Sequence, residues 1–402
     1  MANTFSPDFI DVWAKEQQRI FYKTNVARMF ADMSFQSDLK SGDVLNRPYR
    51  SSNNIQIYTR GSAITIDDKT DTQEALTVNA QFATGFYVDD FDKIQSNYDL
   101  AANYGKDDGI YLSNQIDADV LGEAANATST VDDGTLGGTS GNGLTLTTSN
   151  VLATIAAAKK KLAKQNMALE NGLFGVISPE FEEVLVQYGA GRDTVGGDKV
   201  QDNGFFRNFY GFDLYRSNQL SNTALLALAT QPTDGDTVVI NGITFTFKTT
   251  LGSTAGNVLI GASADAARLN LTTLINAPQT TTSEGVALSV ANQRALRNAV
   301  VAVNDASANT MAITYKGVGA LAVSETFTDA TDTWTSTKTI QQNLFGIKSS
   351  PTLVIQSEPN IKIKEVPDKH GKNILNGVLY GYKTFADNAK MLVNVKLNAS
   401  AF

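Results

Sequence analysis

The stretch that decides the fold is SNVLATIAAAKKKLAKQNMALENGLFGVISPEFEEVL, residues 149–185. Its first half places Val151, Ile155 and Leu162 on one stripe at helical spacing, which predicts an amphipathic helix over 149–165. Lysines crowd the last turns of this helix, where positive charge suits the negative end of the helix dipole.

A short strand and a second helix follow in the same stretch. Phe174 to Ile177 form a continuous apolar run, which favours a strand buried on both faces. Ser178 and Pro179 then give a capped helix start with proline at the first helical position. The stretch therefore predicts a helix, a buried strand and a capped helix in succession, and we expect them to belong to an α+β core.

Upstream of this stretch the apolar residues change to a period of two. The alternation runs over residues 53–88 and is interrupted by a polar, turn-like segment at 67–71, which predicts a long β-ribbon. An arm of about 15 residues would reach about 50 Å, whereas a compact domain of about 100 residues has a radius of gyration of about 13 Å. Isolated two-stranded ribbons are marginally stable in water, so we expect this one to rest on a neighbouring subunit.

Other segments give weaker patterns. Residues 5–35 and 89–125 carry apolar residues at helical spacing, which predicts an N-terminal helical arm and a further helix. The polar loop 126–147 is long for a compact domain, which favours a functional or mobile segment.

At about residue 222 the composition shifts to Thr, Ala and Val with few charges. Asn241-Gly242 is the strongest hairpin signal of the chain, helices are predicted over 263–276 and 289–304, and strands over 311–316 and 321–328. We therefore predict an inserted α+β domain over 222–337, as exposed loops tolerate inserted domains. Residues 1–221 and 338–402 would form the main fold, and the last segment reads as β-rich.

Bulk composition excludes several classes of protein. The 402 residues carry a net charge of −8 and no cysteine, so disulfides and thiolate metal sites are absent and no basic nucleic-acid-binding stripe appears in the totals. The first residues lack a basic-then-apolar export signal, and no apolar run approaches a membrane span. We expect a soluble protein that folds in a cytoplasm, with no cofactor.

Catalytic and metal-binding constellations are weak. His370, the only histidine, lies in a turn-rich stretch and is expected to be a solvated loop residue rather than a catalytic base. The glycines at 317–319 imitate a dinucleotide fingerprint but do not open a helix. Asp89, Asp90 and Asp92 could ligate Ca²⁺, but acids are also typical of a helix start, which we favour.

Four stretches together resemble the major capsid proteins of tailed bacteriophages with the Hong Kong 97-like fold. GDVLNRPY resembles the start of the family's extended loop, the second stretch its long strand and following helix, the third its spine helix, and the fourth its G-F-D-V-Y-x-S-N segment. The stretches are GDVLNRPY (42–49), LTVNAQFATGFYVDDFDKIQSNYDL (76–100) with IDADVL (116–121), residues 149–185, and FRNFYGFDLYRSNQLS (206–221). Their order and spacing, rather than any single motif, carry the resemblance.

The resemblance implies an N-arm at 1–41, an extended loop at about 48–78, a spine helix and an axial domain. It also implies subunits that form hexamers and pentamers of an icosahedral shell around double-stranded DNA, with assembly in the bacterial host cytoplasm. We expect a separate scaffolding protein, a portal and decoration proteins as partners, and no membrane. Family members that crosslink use a loop lysine, and Lys69 lies near the ribbon tip without a distinctive Asn context.

Two charge bands suggest where subunits could meet. Residues 89–133 hold eleven acids and two lysines, and residues 338–402 hold nine lysines and four acids. They are either two solvated faces or bands that meet across subunit interfaces and steer assembly. The candidate assembly contacts are Arg60, Lys69, Asp89, Asp90, Asp92, Lys362 and Lys364.

Four cations of the N-terminal segment lie at helical spacing. They form either a solvated or interface-lining face or a non-specific contact with packaged DNA. These candidate DNA-facing residues are Lys15, Arg19, Lys23 and Arg28.

Two rival functions stay open on the sequence alone. A phage tail-tube subunit or a surface-array protein would also suit the Thr-rich β composition, although an array protein should carry an export signal. An enzyme with paired carboxylates is the third possibility, with Asp89 and Asp92 as its candidates.

Overall fold

The structure, a computed structural model, gives secondary structure in most of the chain. It describes residues 25–39, 41–50, 57–63, 66, 71–89, 100–167, 169, 172–190, 208–296, 300–316, 321–334, 339–357, 362–366 and 369–398. Within these ranges no helix is long and apolar enough to cross a membrane.

The described elements follow one another along the chain. The strands are β1 (Val44–Arg50), β2 (Asp71–Thr77), β3 (Ala80–Asp89), β4 (Ser129–Val131), β5 (Leu173–Ile177), β6 (Asn208–Phe209), β7 (Phe212–Arg216), β8 (Asn222–Ala227), β9 (Thr237–Ile240), β10 (Ile243–Lys248), β11 (Asn257–Leu259), β12 (Val300–Asp305), β13 (Thr310–Tyr315), β14 (Val323–Thr326), β15 (Thr333–Trp334), β16 (Ile340–Ile347), β17 (Thr352–Ser357), β18 (Lys362–Glu365), β19 (Gly371–Lys383) and β20 (Leu392–Asn398). The α-helices are α1 (Leu100–Gly122), α2 (Val151–Lys164), α3 (Pro179–Ala190), α4 (Ala264–Asn276), α5 (Val290–Leu296) and α6 (Ala386–Ala389).

The chain divides into two compact units. The first comprises Met1–Asn114 with Pro351–Ala386, and the second comprises Gln115–Ser350 with Asp387–Phe402. Each unit therefore draws on two separate segments of the sequence.

The first unit contains a ribbon and a four-stranded sheet. In the ribbon, β1 pairs antiparallel with β2 from Val44 opposite Thr77 to Arg50 opposite Asp71. In the sheet, the long strand β19 pairs with β3 on one side and with β17 and β18 on the other. The predicted ribbon over 53–88 is therefore wrong in its second half, because its alternating residues belong to two strands in two different sheets.

The start of the described chain also differs from the prediction. Residues 25–35 form short 3-10 turns at Ala27–Met29 and Ser34–Gln36 rather than the end of an α-helix. Between these two turns, Asp32 forms a β-bridge with Thr352 of β17. In this bridge Asp32 N–H donates to Pro351 O at 2.7 Å, and Leu353 N–H donates to Asp32 O at 2.9 Å. The predicted arm before residue 25 lies outside the described residues.

The second unit is built on a large mixed sheet. Its main path is β12-β13-β8-β16-β5-β7-β6, with β20 and β4 attached through β16 and with β15 paired to β8. Helix α2 and strand β5 confirm the elements predicted from 149–177, and both contribute to one hydrophobic cluster. Helix α3 begins as predicted, because Ser178 Oγ accepts a hydrogen bond from Phe181 N–H at 3.1 Å.

Residues 224–334 supply a second, separate hydrophobic cluster in this unit. Strands β9 and β10 form the predicted hairpin, with φ of 49° at Asn241 and 78° at Gly242. The helix predicted over 289–304 is wrong in its second half, since α5 ends at Leu296 and the β-branched run from Val300 forms β12 instead.

The polar loop 126–147 is folded rather than irregular. Strand β4 pairs with β20, and a 3-10 helix at Asp133–Leu136 follows it. Asp132 closes a capping box with Thr135 and accepts a further hydrogen bond from Gly141 N–H at 2.7 Å. Burial raises the pKa of Asp132, but hydrogen bonds from Gly141 and Thr135 and the charge of Lys161 outweigh burial and lower the pKa below its usual value.

Candidate assembly surfaces

The base of the ribbon is fixed to the core of the first unit. Leu76 is completely buried in a cluster with Phe385, and the Arg47 guanidinium lies 4.8 Å from the centre of the Phe385 ring. Opposite Arg47 in the register, the Glu74 carboxylate accepts a hydrogen bond from Ala386 N–H at 3.2 Å. The ribbon therefore leaves the core at a defined place and in a fixed orientation.

The tip of the ribbon carries apolar side chains in water. Among the described tip residues, Ile57 is 99% exposed, Ile66 is 89% exposed and Tyr58 is 63% exposed. Burying one such side chain contributes about 1.5–3 kcal/mol, so three exposed together mark a surface that needs a partner. The alternating pattern identified the segment, but the exposure of these side chains became apparent only in the structure.

Two candidate contacts belong to the same tip. Arg60 is exposed in a turn in which Ser62 N–H donates to Thr59 O at 3.0 Å. Lys69 lies outside the described residues. The described part of the tip therefore presents one cation beside its apolar side chains.

One face of the four-stranded sheet gathers three further candidates. Lys362 and Lys364 alternate on β18 and are both exposed, and Lys364 lies opposite Asn373 of β19, which in turn lies opposite Tyr87 of β3. Asp89 follows on the same face, because side chains two residues apart on a strand point the same way. The candidates Asp90 and Asp92 lie outside the described residues.

Tyr87 organises the end of this face. Its hydroxyl lies 3.2 Å from Asp89 Oδ2 and 2.9 Å from His370 O, and Lys369 Nζ lies 5.7 Å from the ring centre. His370 itself is exposed, as predicted. We name the face formed by Tyr87, Asp89, Lys362, Lys364, Asn373 and Leu375 the lysine face.

The opposite face of the sheet is buried. Ile363, Ile374 and Phe86 lie in register across it and form a small apolar cluster. On this side Asp108 of α1 accepts hydrogen bonds from Thr84 Oγ1 and Asn376 Nδ2, each at 2.9 Å. The lysine face is therefore the side of the sheet that is open to water.

The acidic band 89–133 is not one solvated face. Asp108 points inward, and in the second unit Asp117 and Asp119 are buried, with Asp119 paired to Lys316 at 3.4 Å. The number of acidic residues in a stretch of sequence does not show which way each side chain points, so the count over 89–133 did not reveal that some of them are buried.

The candidate DNA-facing cations are described at one position. Arg28 is half-buried in the first 3-10 turn, where its backbone N–H donates to Asn25 Oδ1 at 3.0 Å. Lys15, Arg19 and Lys23 lie outside the described residues. Within the described ranges no group of three or more His, Asp or Glu side chains could hold a metal ion.

Two lysines near the end of α2 also donate hydrogen bonds to backbone carbonyls outside the helix. Lys161 Nζ donates to Thr130 O, and Lys159 Nζ donates to Tyr210 O at 3.0 Å. Lys160 and Lys164 are exposed. Sequence reasoning did not single out Tyr210, whose neighbours become apparent only when the hairpin β6–β7 is placed beside α2.

Comparison with known proteins gives a match to one protein family. Residues 73–250 match a family model described as phage capsid protein. No curated protein matches the chain.

A search of solved structures finds matches to phage structures at low sequence identity. A structure from Mycobacterium phage Che8 is 14% identical, with 92% of this chain and 90% of that chain covered and a TM-score of 0.53. The capsid of cyanophage P-SCSP1u is 11% identical over 90% and 85% of the two chains, with a TM-score of 0.46. The capsid of Ralstonia phage GP4 is 10% identical over 92% and 87%, also with a TM-score of 0.46.

Proposed function

We propose that this chain is a major capsid protein of a tailed phage with the Hong Kong 97-like fold. We further propose that it forms the hexamers and pentamers of an icosahedral shell around double-stranded DNA. The partial match to the phage capsid family model and the similarity in fold to a phage structure support the proposal. Its role is structural, it assembles with copies of itself into a shell, and it resides in the virion. The ribbon is the single observation that supports the finer proposal most strongly.

The ribbon has the physical properties of a contact between subunits. Its base is fixed by Leu76, Arg47 and Glu74, whereas its tip exposes Ile57, Tyr58 and Ile66. A neighbouring copy that covered the tip would recover the free energy of burying those side chains. In a closed symmetric shell every subunit would make this contact, so weak contacts add up.

Electron microscopy of the purified, expressed chain tests the proposal. We expect closed shells, and we expect Ile57→Ser combined with Ile66→Ser to abolish or strongly reduce them. Thr59→Ser at the same tip is the matched control and should leave the shells intact. Cylinders would favour the tail-tube alternative, which the capsid family match does not favour, and a chain that stays monomeric would contradict the proposal.

The lysine face is proposed as a second contact between subunits. Lys362 and Lys364 are exposed on one face of the sheet, and exposed acidic side chains of a neighbouring copy would complement them. Charge reversal of both lysines should weaken assembly most at low salt, because screening already weakens exposed charge pairs at high salt. Assembly that is independent of salt in both proteins would contradict this contact.

Residues 222–337 are proposed to form an inserted domain that projects outward and stabilises contacts between capsomers or binds a decoration protein. A hydrophobic cluster drawn wholly from residues 224–334 supports this. Strand β8 at the start of the block pairs with β16 just beyond its end, with Asn222 opposite Gln341.

Packaging and assembly partners complete the proposal. The N-terminal cations are proposed to contact packaged DNA, and a separate scaffolding protein and a portal to guide assembly in the host cytoplasm. Charge reversal at Lys15, Arg19 and Lys23 should lower DNA retention in purified particles without changing shell yield. Unchanged retention would assign these cations to a solvated face.

A further inference from the structure

The turn between β6 and β7 holds a large ring in an unfavourable backbone conformation. Tyr210 has φ of 56° and Gly211 has φ of 89°. The left-handed region suits glycine and is tolerated by asparagine, whose side chain is short and polar, but it disfavours bulky residues. Among the described residues the non-glycine positions with positive φ are Asn166, Tyr210, Asn241, Asn309 and Ser349, and Tyr210 is the only aromatic one.

The same chain shows how such a turn is built without this cost. The hairpin β9–β10 turns through Asn241-Gly242 with φ of 49° and 78°, which is the preferred residue pair for a two-residue turn. Tyr210 is therefore not required by the geometry of the turn. An unfavourable conformation that persists points to a function for the side chain.

The ring of Tyr210 is both exposed and held in place. It is 49% exposed. Lys159 Nζ donates to Tyr210 O at 3.0 Å and lies 5.6 Å from the ring centre, and the Phe209 ring lies 6.3 Å away. An aromatic side chain that is fixed before binding loses little conformational entropy in a contact, which is the property of interface anchors.

We infer that Tyr210 anchors a contact with a second copy of this chain. This inference rests on the proposed function, because a shell subunit meets copies of itself. The exposed Lys160 and Lys164 of α2 add positive charge on the helix whose Lys159 holds the ring. A copy of this chain has a net charge of −8, so it carries more acidic than basic side chains that could complement such a patch.

Nucleic acid is the alternative partner for this surface. Asp213, across the hairpin from Asn208, accepts hydrogen bonds from Asn208 Nδ2 at 2.9 Å and from Lys348 Nζ, so its charge is already paired and does not decide between the two partners. The exposed, positioned ring favours a protein partner, because aromatic side chains are enriched among the anchors of protein interfaces.

Tyr210→Asn separates the two roles of this residue. The substitution relieves the backbone conformation, so the melting temperature of the unassembled subunit should stay unchanged or rise by about 2 °C. The protein concentration at which shells form should rise at least about tenfold, because an aromatic anchor is lost. Both quantities are measured on the full chain, by thermal denaturation and by light scattering with electron microscopy.

Tyr210→Phe is the matched variant, since it keeps the ring and should assemble within about threefold of the unchanged chain. If Tyr210→Asn assembles like the unchanged chain, the inference is wrong while the proposed function stands. If the unchanged chain itself forms no shells, the proposed function fails first. If shells form normally but retain less DNA, the partner is nucleic acid and the inference is again wrong.

Discussion

The ribbon and the block 222–337 both contain antiparallel strands, but the ribbon leaves apolar side chains exposed whereas the block buries them. The ribbon buries only its base, at Leu76, and leaves Ile57 and Ile66 in water. The block encloses its apolar residues, so that Phe245 and Phe247 of β10 are completely buried.

The difference separates two sources of stability within one chain. Folding of the block depends on contacts that the chain makes with itself. The ribbon tip has no comparable core among its described residues, and the proposed function assigns its favourable contacts to another subunit. We therefore expect changes in the block to appear in subunit stability, and changes at the ribbon tip to appear in assembly.

Phe247→Ala should give the largest effect on stability. Phe247 is completely buried, and its ring centre lies 6.1 Å from that of Phe327. Removing such a ring should lower the free energy of unfolding by about 3–5 kcal/mol. Urea denaturation of the full chain measures it, with the exposed Thr244→Ala on the same strand as control. A loss below about 1 kcal/mol would mean that the block does not depend on this core.

Asn241→Tyr should give the next largest effect. It places an aromatic side chain at φ of 49° and removes the oxygen that accepts the Ala322 N–H hydrogen bond at 2.9 Å. We expect a loss of about 1–2 kcal/mol in the same denaturation experiment. Asn241→Gly removes the same acceptor without backbone strain, so an equal loss in both variants would assign the effect to the hydrogen bond alone.

Acid should destabilise the block before it affects the ribbon tip. The hydrogen bond from Asn304 and the pairing with Arg268 hold the pKa of Asp265 below its usual value, and hydrogen bonds from Thr331 lower the pKa of Asp329. A carboxylate with a lowered pKa stabilises the fold above about pH 4, and this contribution is lost as the pH falls through the lowered pKa.

Hydrogen exchange between pH 7 and pH 3 tests this order of events. Protection in residues 222–337 should fall with pH, and Asp265→Asn should reduce the dependence. Protection in the block that does not change over this range would contradict the prediction. The described tip residues 57–63 and 66 contain no carboxylate, so their exchange should show only the intrinsic effect of pH.

The ribbon tip should give the smallest effect on stability. Ile57→Ser with Ile66→Ser should change the free energy of unfolding of the unassembled subunit by less than about 0.5 kcal/mol. Leu76→Ala at the ribbon base is the contrasting variant, with an expected loss of about 2–5 kcal/mol. Equal losses at tip and base would show that the tip packs on its own subunit.

Local signals were sufficient for several elements. The apolar stripe and lysines of α2, the apolar run of β5 and the Ser178 cap each act within a few residues, and all three predictions are confirmed. The Asn241-Gly242 turn is confirmed for the same reason.

Pairing between distant segments could not be predicted. β1 pairs with β2 across twenty intervening residues, and β3 joins β19, which lies far along the chain. Alternation indicates a strand but not its partner, so one alternating pattern was assigned to a single ribbon. The left-handed backbone at Tyr210 could not be predicted for a related reason, since a sequence does not show which residue of a turn takes the unfavourable φ.

If residues 222–337 form the proposed inserted domain, the pairing of Asn222 with Gln341 would make this place in the chain a site for genetic exchange. Residues paired across antiparallel strands lie about 5 Å apart, a gap that a two-residue turn spans. Replacing the intervening segment with such a turn, or with a foreign domain whose termini lie equally close, would remove β8, β12, β13 and β15 from the large sheet and leave the path β16-β5-β7-β6. If the chain forms the proposed shell and tolerates this change, each particle would display one copy of the foreign domain for each subunit.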